Sequence, residues 1–175
     1  MSMRFSEVKG IVFDFDGVFT DNSVIVSQDG TESVICSRSD GLGLNKLQAL
    51  AIPCVVISTE VNPIVSKRCE KLKLPVQQGV EDKAGAVRAW ANTQGLSLSE
   101  VAYLGNDIND LPALRIVGFP CVVADAWPEA RAIATFVTTR AGGKGAVREL
   151  CDKISAAYAV DGLTVRNRGI VPHDT

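Results

Sequence analysis

The sequence predicts a three-layer, Rossmann-like α/β fold. A parallel sheet carries helices on both faces, with one inserted β-hairpin and no large cap domain. Three observations predict it. Short β-branched runs alternate with helix-like stretches along the chain. The first run, residues 8–14, is almost continuously apolar before a terminal acid, as expected of a strand buried on both faces. One segment, 22–38, breaks the alternation, and no gap between strands is long enough for a cap domain.

The strands are expected in order at 8–14, 52–58, 75–79, 101–105 and 119–123, with a short edge strand at 135–138. Between them, 42–50 spaces its apolar residues by three and four. The stretch 62–72 opens on Asn62-Pro63, an N-cap followed by proline at the first helical position. Residues 83–94 place Ala84, Val87 and Ala91 down one side. Shorter helices are expected at 109–117 and 128–134, and a closing helix at 146–159 follows Gly142-Gly143-Lys144-Gly145. Within 23–37, two β-prone runs flank Asp29-Gly30, a strong hairpin signal. The expected organisation is one domain over 1–159, with a hairpin flap at 22–38, and an irregular C-terminal tail over 160–175.

Composition narrows the function. The chain has 175 residues, 46% hydrophobic and 22% charged, which suits one globular domain with a real core. Eighteen Lys and Arg against twenty Asp and Glu leave a net charge of −2. Such a chain has no global basic field for a nucleic acid or an anionic membrane, and neither is expected as a partner. No apolar run approaches the ~20 residues of a membrane span, and the first seven residues lack a secretory apolar core. Five scattered cysteines without a C-x-x-C predict reduced thiols and a cytoplasmic location.

The chemistry concentrates at predicted strand ends. In open α/β sheets ligands bind at the carboxyl ends of the strands. The first strand ends in Asp14-Phe15-Asp16-Gly17, and alternation puts both acids on one side. Two carboxylates so close repel unless a cation sits between them, and Mg²⁺ accepts one or two carboxylates while keeping its waters. A carboxylate held beside Mg²⁺ can attack phosphorus to form an acyl phosphate. Read alone, Asp-x-Asp is more often an Asx-rich turn. Ser58, ending the second strand, reads as a phosphate ligand or a turn residue, and Lys83 as a phosphate-neutralising cation or a solvated charge. Gly105-Asn106-Asp107-Ile108-Asn109-Asp110 reads as a metal site or a capped helix start. Their convergence on one crevice favours the functional reading of all four.

In this order the motifs resemble the haloacid dehalogenase-like phosphatases, over about residues 8–155. The chain is most similar to the capless group of 3-deoxy-D-manno-octulosonate 8-phosphate phosphatases and related acylneuraminate or nonulosonate phosphatases. Further matches are Arg38-Ser39-Asp40-Gly41-Leu42-Gly43, Gln78-Gly79-Val80-Glu81-Asp82-Lys83, Val123-Ala124-Asp125-Ala126 and Gly142-Gly143-Lys144-Gly145-Ala146-Val147-Arg148-Glu149. The resemblance implies an Mg²⁺-dependent phosphomonoesterase acting on a small sugar-acid phosphate through an aspartyl-phosphate. It implies Asp14 as nucleophile and metal ligand, and Asp16 as general acid whose backbone carbonyl completes the metal shell. Ser58 and Thr59 would bind the phosphoryl group and Lys83 would neutralise it. Asn106 would be the third metal ligand, with Asp107 the alternative, and Asp107 and Asp110 would order that loop. Many relatives carry Asp where Asn106 stands, and the octulosonate phosphatases usually carry Thr-Gly-Arg where this chain reads Ser58-Thr59-Glu60. With Glu60 replacing a cation in the substrate-binding region, Lys67, Arg68 and Lys71 become the candidate partners of a sugar carboxylate. The resemblance also implies a homotetramer built through the hairpin, whose two faces both carry Val or Ile. The alternative is a weakly catalytic oligomerisation or regulatory module of acylneuraminate metabolism.

Overall fold

The structure, a computed structural model, describes residues 4–160. Six strands, β1 (Gly10–Phe13), β4 (Cys54–Ile57), β5 (Val76–Gln77), β6 (Val101–Gly105), β7 (Phe119–Val122) and β8 (Phe136–Val137), form one sheet in the order β5-β4-β1-β6-β7-β8. Every pairing in it is parallel. β1 is central, and Ile11, Val12 and Phe13 are wholly buried, as its unbroken apolar run requires.

Among the described residues there are six α-helices, five between strands and one after the last: α1 (Ser39–Ala49), α2 (Pro63–Leu72), α3 (Lys83–Thr93), α4 (Leu111–Leu114), α5 (Pro128–Ile133) and α6 (Ala146–Val160). α1 packs along α6, while α4 packs against both α3 and α5, giving the two helical layers around the sheet. α1 begins at Ser39, three residues before the periodicity signalled it. Gly43 is why it can lie so close to α6: a Cβ there would stand 2.9 Å from Cys151 Cβ and 3.1 Å from Arg148 Cα. A glycine inside a helix costs roughly 1 kcal/mol relative to alanine, and here it permits the helix contact. The helix expected at 109–117 is a 3₁₀ turn, Ile108–Asp110, followed by the single turn of α4. The Asp107 and Asp110 side chains cap that turn reciprocally, and this tightens its start.

The hairpin forms a separate two-stranded sheet, β2 (Ile25–Val26) against β3 (Glu32–Ser33), closed around Asp29-Gly30. Ser27 N–H donates to Thr31 O, and Gly30 N–H to Ser27 O, both at 2.9 Å. Val24, Ile25, Val26 and Ile35 are each at least half exposed. The expected tail falls, beyond Val160, outside the described residues. Among the described residues, no helix is long and apolar enough to cross a membrane.

Candidate active site

The carboxyl edge of the sheet brings together Asp14, Asp16, Ser58, Thr59, Asn106 and Asp107. Asp14 is the first residue past β1. Its N–H donates to Leu104 O of β6 at 3.0 Å, and its carboxylate is almost wholly buried. Ser58 follows β4, where its N–H donates to Gln77 O at 2.9 Å and its Oγ accepts from Glu60 N–H at 3.1 Å. Asn106 follows β6 and is also buried. These three, with Asp16, Thr59 and Asp107, line a cavity of about 80 Å³.

Gly17 makes the first of these loops possible. Its φ is +74°, a region open mainly to glycine. A Cβ there would fall 2.0 Å from Asn106 Nδ2, so the turn after Asp16 closes directly onto the Asn106 amide. Thr20 locks the same turn, its Oγ1 accepting from Gly17 N–H at 3.1 Å and Asn22 N–H at 3.2 Å.

Lys83 is the first residue of α3, whose N-cap Asp82 accepts from Gly85 N–H at 2.9 Å. Its side chain runs inward rather than to solvent. Nζ stands 2.8 Å from Asp14 Oδ1 and 2.7 Å from Asp110 Oδ1, and all three groups are buried. Asp110 is the hub of this arrangement. Its Oδ1 also accepts from Tyr103 OH at 2.7 Å, and its Oδ2 accepts from Asn106 N–H at 2.8 Å and Asp107 N–H at 3.3 Å. One carboxylate thereby fixes the cation beside Asp14 and the loop that presents Asn106.

The electrostatics follow from burial. Loss of solvent, then the neighbouring Asp110 carboxylate, push the Asp14 carboxyl above its ordinary range, and Lys83 only partly offsets them. Burial works to lower the Lys83 ammonium, but Asp14 and Asp110 prevail and hold it charged. Asp16 is raised by burial and then by Glu60, with Glu32 adding to the effect.

This centre suits a hard divalent cation. Asp14, Asp16 and Asp107 line the cavity, and Lys83 contacts Asp14 and Asp110, so one cation faces an excess of negative charge that a metal would relieve. The donors available are carboxylate, amide and backbone oxygens, the set preferred by Mg²⁺. Among the described residues no group of three His, Cys, Asp or Glu could hold a metal. The Asn106 amide is a further side-chain oxygen donor that lines the cavity beside the Asp14 and Asp16 carboxylates.

Residues 73–150 match the haloacid dehalogenase-like hydrolase family. The chain is 32% identical over 151 residues to the 3-deoxy-D-manno-octulosonate 8-phosphate phosphatase of Escherichia coli K12, covering 86% of this chain and 80% of that one. The chain belongs to the haloacid dehalogenase-like phosphatases. Its fold superposes on the octulosonate 8-phosphate phosphatase of Moraxella catarrhalis with a TM-score of 0.85 and 33% identity, over 91% of this chain and 93% of that one. That structure is a complex with magnesium ion, phosphate ion and 3-deoxy-D-manno-octulosonate (KDO). The corresponding enzyme of Haemophilus influenzae, solved in a cobalt-bound form, matches with a TM-score of 0.85 and 30% identity, over 90% and 92%.

In this haloacid dehalogenase-like phosphatase the expected substrate-binding residues are dispersed. Glu60 lines a second cavity, about 270 Å³, that shares Asp16 and Asn22 with the first. The Glu60 Oε1 is turned to its own loop, accepting from Val61 N–H at 2.7 Å and Asn62 N–H at 2.8 Å. Lys71 is exposed on α2, and Lys67 sits 3.5 Å from Glu70. Arg68 donates to Ser37 O at 2.7 Å, tying α2 to the hairpin root. None of these three cations lines either cavity within one chain. Sequence reasoning assigned no role to Tyr103 or Glu32, and quoted Gln78 only as part of a motif. Gln78 Nε2 donates to Glu60 O at 3.2 Å and Asn62 O at 2.9 Å, which holds the Ser58–Asn62 loop. The available signal for Tyr103 was a phenol inside an otherwise apolar buried strand, because a buried hydroxyl demands a partner.

Proposed function

We propose that this protein is an Mg²⁺-dependent phosphomonoesterase that hydrolyses a small sugar-acid phosphate, of the octulosonate 8-phosphate or nonulosonate 9-phosphate type, through an aspartyl-phosphate. The observation that carries this reading is the Lys83–Asp14 contact at 2.8 Å beside a cavity lined by Asp16, Ser58 and Asn106. A buried carboxylate paired with an ammonium faces a space lined by hydroxyls and oxygen donors, as phosphoryl transfer needs positioning and charge neutralisation more than other chemistry. The phosphatase relatives support the reaction class.

Asp14 Oδ attacks phosphorus, and the bond from phosphorus to the leaving oxygen breaks. Asp16, raised above the ordinary carboxylate range, gives its proton to that departing oxygen. The same residue then takes a proton from the water that hydrolyses the acyl phosphate. Ser58 and Thr59 hold the phosphoryl oxygens, and Lys83 balances charge as it builds on them. Asp14, the Asp16 carbonyl and Asn106 would hold Mg²⁺, which would supply neutralisation of the phosphoryl charge. Asp107 is the weaker candidate ligand, since its Oδ1 accepts from Ile108 N–H at 2.6 Å. Residues 1–159 act as one catalytic unit with the hairpin as its flap, and exposed Val and Ile on both hairpin faces support assembly into a homotetramer. All five cysteines are free thiols, which supports a reducing, cytoplasmic setting.

The test is phosphate release from 3-deoxy-D-manno-octulosonate 8-phosphate, acylneuraminate 9-phosphate and neutral sugar phosphates. Sugar-acid phosphates should lead the panel, EDTA should abolish turnover, and Mg²⁺ should restore it. Restoration by Zn²⁺ but not Mg²⁺ would contradict the all-oxygen site.

A further inference from the structure

The second cavity lies directly beside Asp16, where the alcohol leaving the phosphorus must sit. Its lining includes Phe15, Ile64 and Val65, and the hairpin contributes Val24, Val34 and Glu32. Glu32 is the one charged residue that the hairpin contributes to it. It is partly buried, and its carboxylate is pinned: Oε2 accepts from Asn62 Nδ2 at 2.9 Å. Asn62 is itself fixed. Its Oδ1 caps α2 by accepting from Ile64 N–H at 3.0 Å, and its backbone carbonyl accepts from Gln78. The Glu32 Oε1 has no hydrogen-bond partner among the described residues.

We propose that Glu32 is a specificity-determining residue that accepts hydrogen bonds from hydroxyl groups of the leaving alcohol. The inference rests on the sugar-acid phosphatase reading above. A carboxylate immobilised through one oxygen, with the other unpaired on a residue lining the cavity that Asp16 also lines, has already lost most of its side-chain freedom. It can therefore bind a donor without a large ordering cost. The cavity lining contains three carboxylates, Asp16, Glu32 and Glu60, and two amides, Asn22 and Asn62, with no Lys or Arg. That wall attracts hydroxyl donors and repels a carboxylate. A polyhydroxylated chain is held with its hydroxyls on Glu32 and its own acid group directed out of this cavity.

The experiment compares wild type, Glu32→Gln and Glu32→Ala on 3-deoxy-D-manno-octulosonate 8-phosphate and on p-nitrophenyl phosphate, whose leaving group has no hydroxyl to offer. A hydrogen bond to a charged acceptor is worth enough to change affinity by roughly 10-fold or more. Glu32→Ala should raise KM for the sugar-acid phosphate by about that factor with kcat changed little, and leave kcat/KM for p-nitrophenyl phosphate within about twofold of wild type. Glu32→Gln, which keeps an acceptor for Asn62, should fall between the two. Inhibition by inorganic phosphate should be unchanged in all three. Equal losses on both substrates would mean that Glu32 only holds the hairpin, and would overturn the inference alone. A wild type that hydrolyses p-nitrophenyl phosphate but no sugar-acid phosphate would overturn the substrate reading, and this inference with it.

Discussion

Lys83 Nζ and Asp110 Oδ1 meet at 2.7 Å where neither side chain is exposed to solvent. The pair does more than neutralise itself, because the same ammonium reaches Asp14 and the same carboxylate holds the Asn106 loop. Fold stability and site geometry are thus linked through one buried cluster.

The first prediction is that Lys83→Met is destabilising as well as inactive. Removing the cation leaves Asp14 and Asp110 facing each other in a buried place. Breaking a buried pair this way costs about 3–5 kcal/mol, which for a chain of this size lowers the unfolding midpoint by roughly 6–20 °C. Differential scanning calorimetry without added metal checks it, and a midpoint within a degree or two of wild type would contradict it.

Asp16→Asn should lower kcat by roughly 10² to 10⁴ on a sugar phosphate, the usual worth of a positioned general acid and base. The loss should be smaller on p-nitrophenyl phosphate, because nitrophenolate departs without needing a proton. Parallel steady-state assays give the ratio, and equal losses on both substrates would limit Asp16 to the hydrolysis of the intermediate.

Asp40 gives a pH-dependent stability. It is fully buried at the start of α1, accepts from Arg148 N–H at 3.3 Å, and leaves its Oδ2 without a partner. Burial raises its carboxyl from 3.8 to about 6. The folded state therefore holds this proton more tightly than the unfolded chain does. The stabilising contribution is complete below pH 3.8 and is lost as pH rises through about 6. Asp40→Asn should match wild type near pH 4 and exceed it above pH 7, by at most about 3 kcal/mol. Urea unfolding at the two pH values checks this, and a gap that does not change with pH would contradict it.

For the assembly, Ile25→Glu with Ile35→Glu is the informative variant. Both side chains are more than half exposed on the hairpin and neither lines the cavity beside Asp16. Wild type should scatter light as about four chains of 18.6 kDa, and the double variant should fall to one or two. A wild-type mass of a single chain at micromolar concentration would refute the tetramer.

Much of this architecture was legible because strand burial writes itself into composition. The runs ending at Asp14 and Ser58 are β-branched and apolar, and the one ending at Asn106 is apolar apart from Tyr103, so their carboxyl ends, and hence the crevice, could be placed by position alone. The strand order could not, since pairing partners are set by helix crossovers rather than by local pattern. Asp110 was legible as a loop residue but not as the partner of Lys83, because the sequence does not say that the Lys83 side chain turns inward. Glu32 gave no signal at all. It is an acid next to the turn of a hairpin otherwise marked by its Val and Ile residues, and only the fold of that hairpin toward Asn62 brings it to the cavity that Asp16 lines.

The central claim is that Asp14 carries the phosphoryl group during turnover. Rapid acid quench of the Mg²⁺-loaded enzyme with 3-deoxy-D-manno-octulosonate 8-phosphate, radiolabelled at phosphorus, tests it most directly. The label should appear on protein within the first turnover, map to the peptide containing Asp14, be released by hydroxylamine, and be missing from Asp14→Asn, which should also release no phosphate. Steady phosphate release by wild type with no protein-bound label, label on Ser58, or turnover by Asp14→Asn beyond a small fraction of wild type would contradict the mechanism.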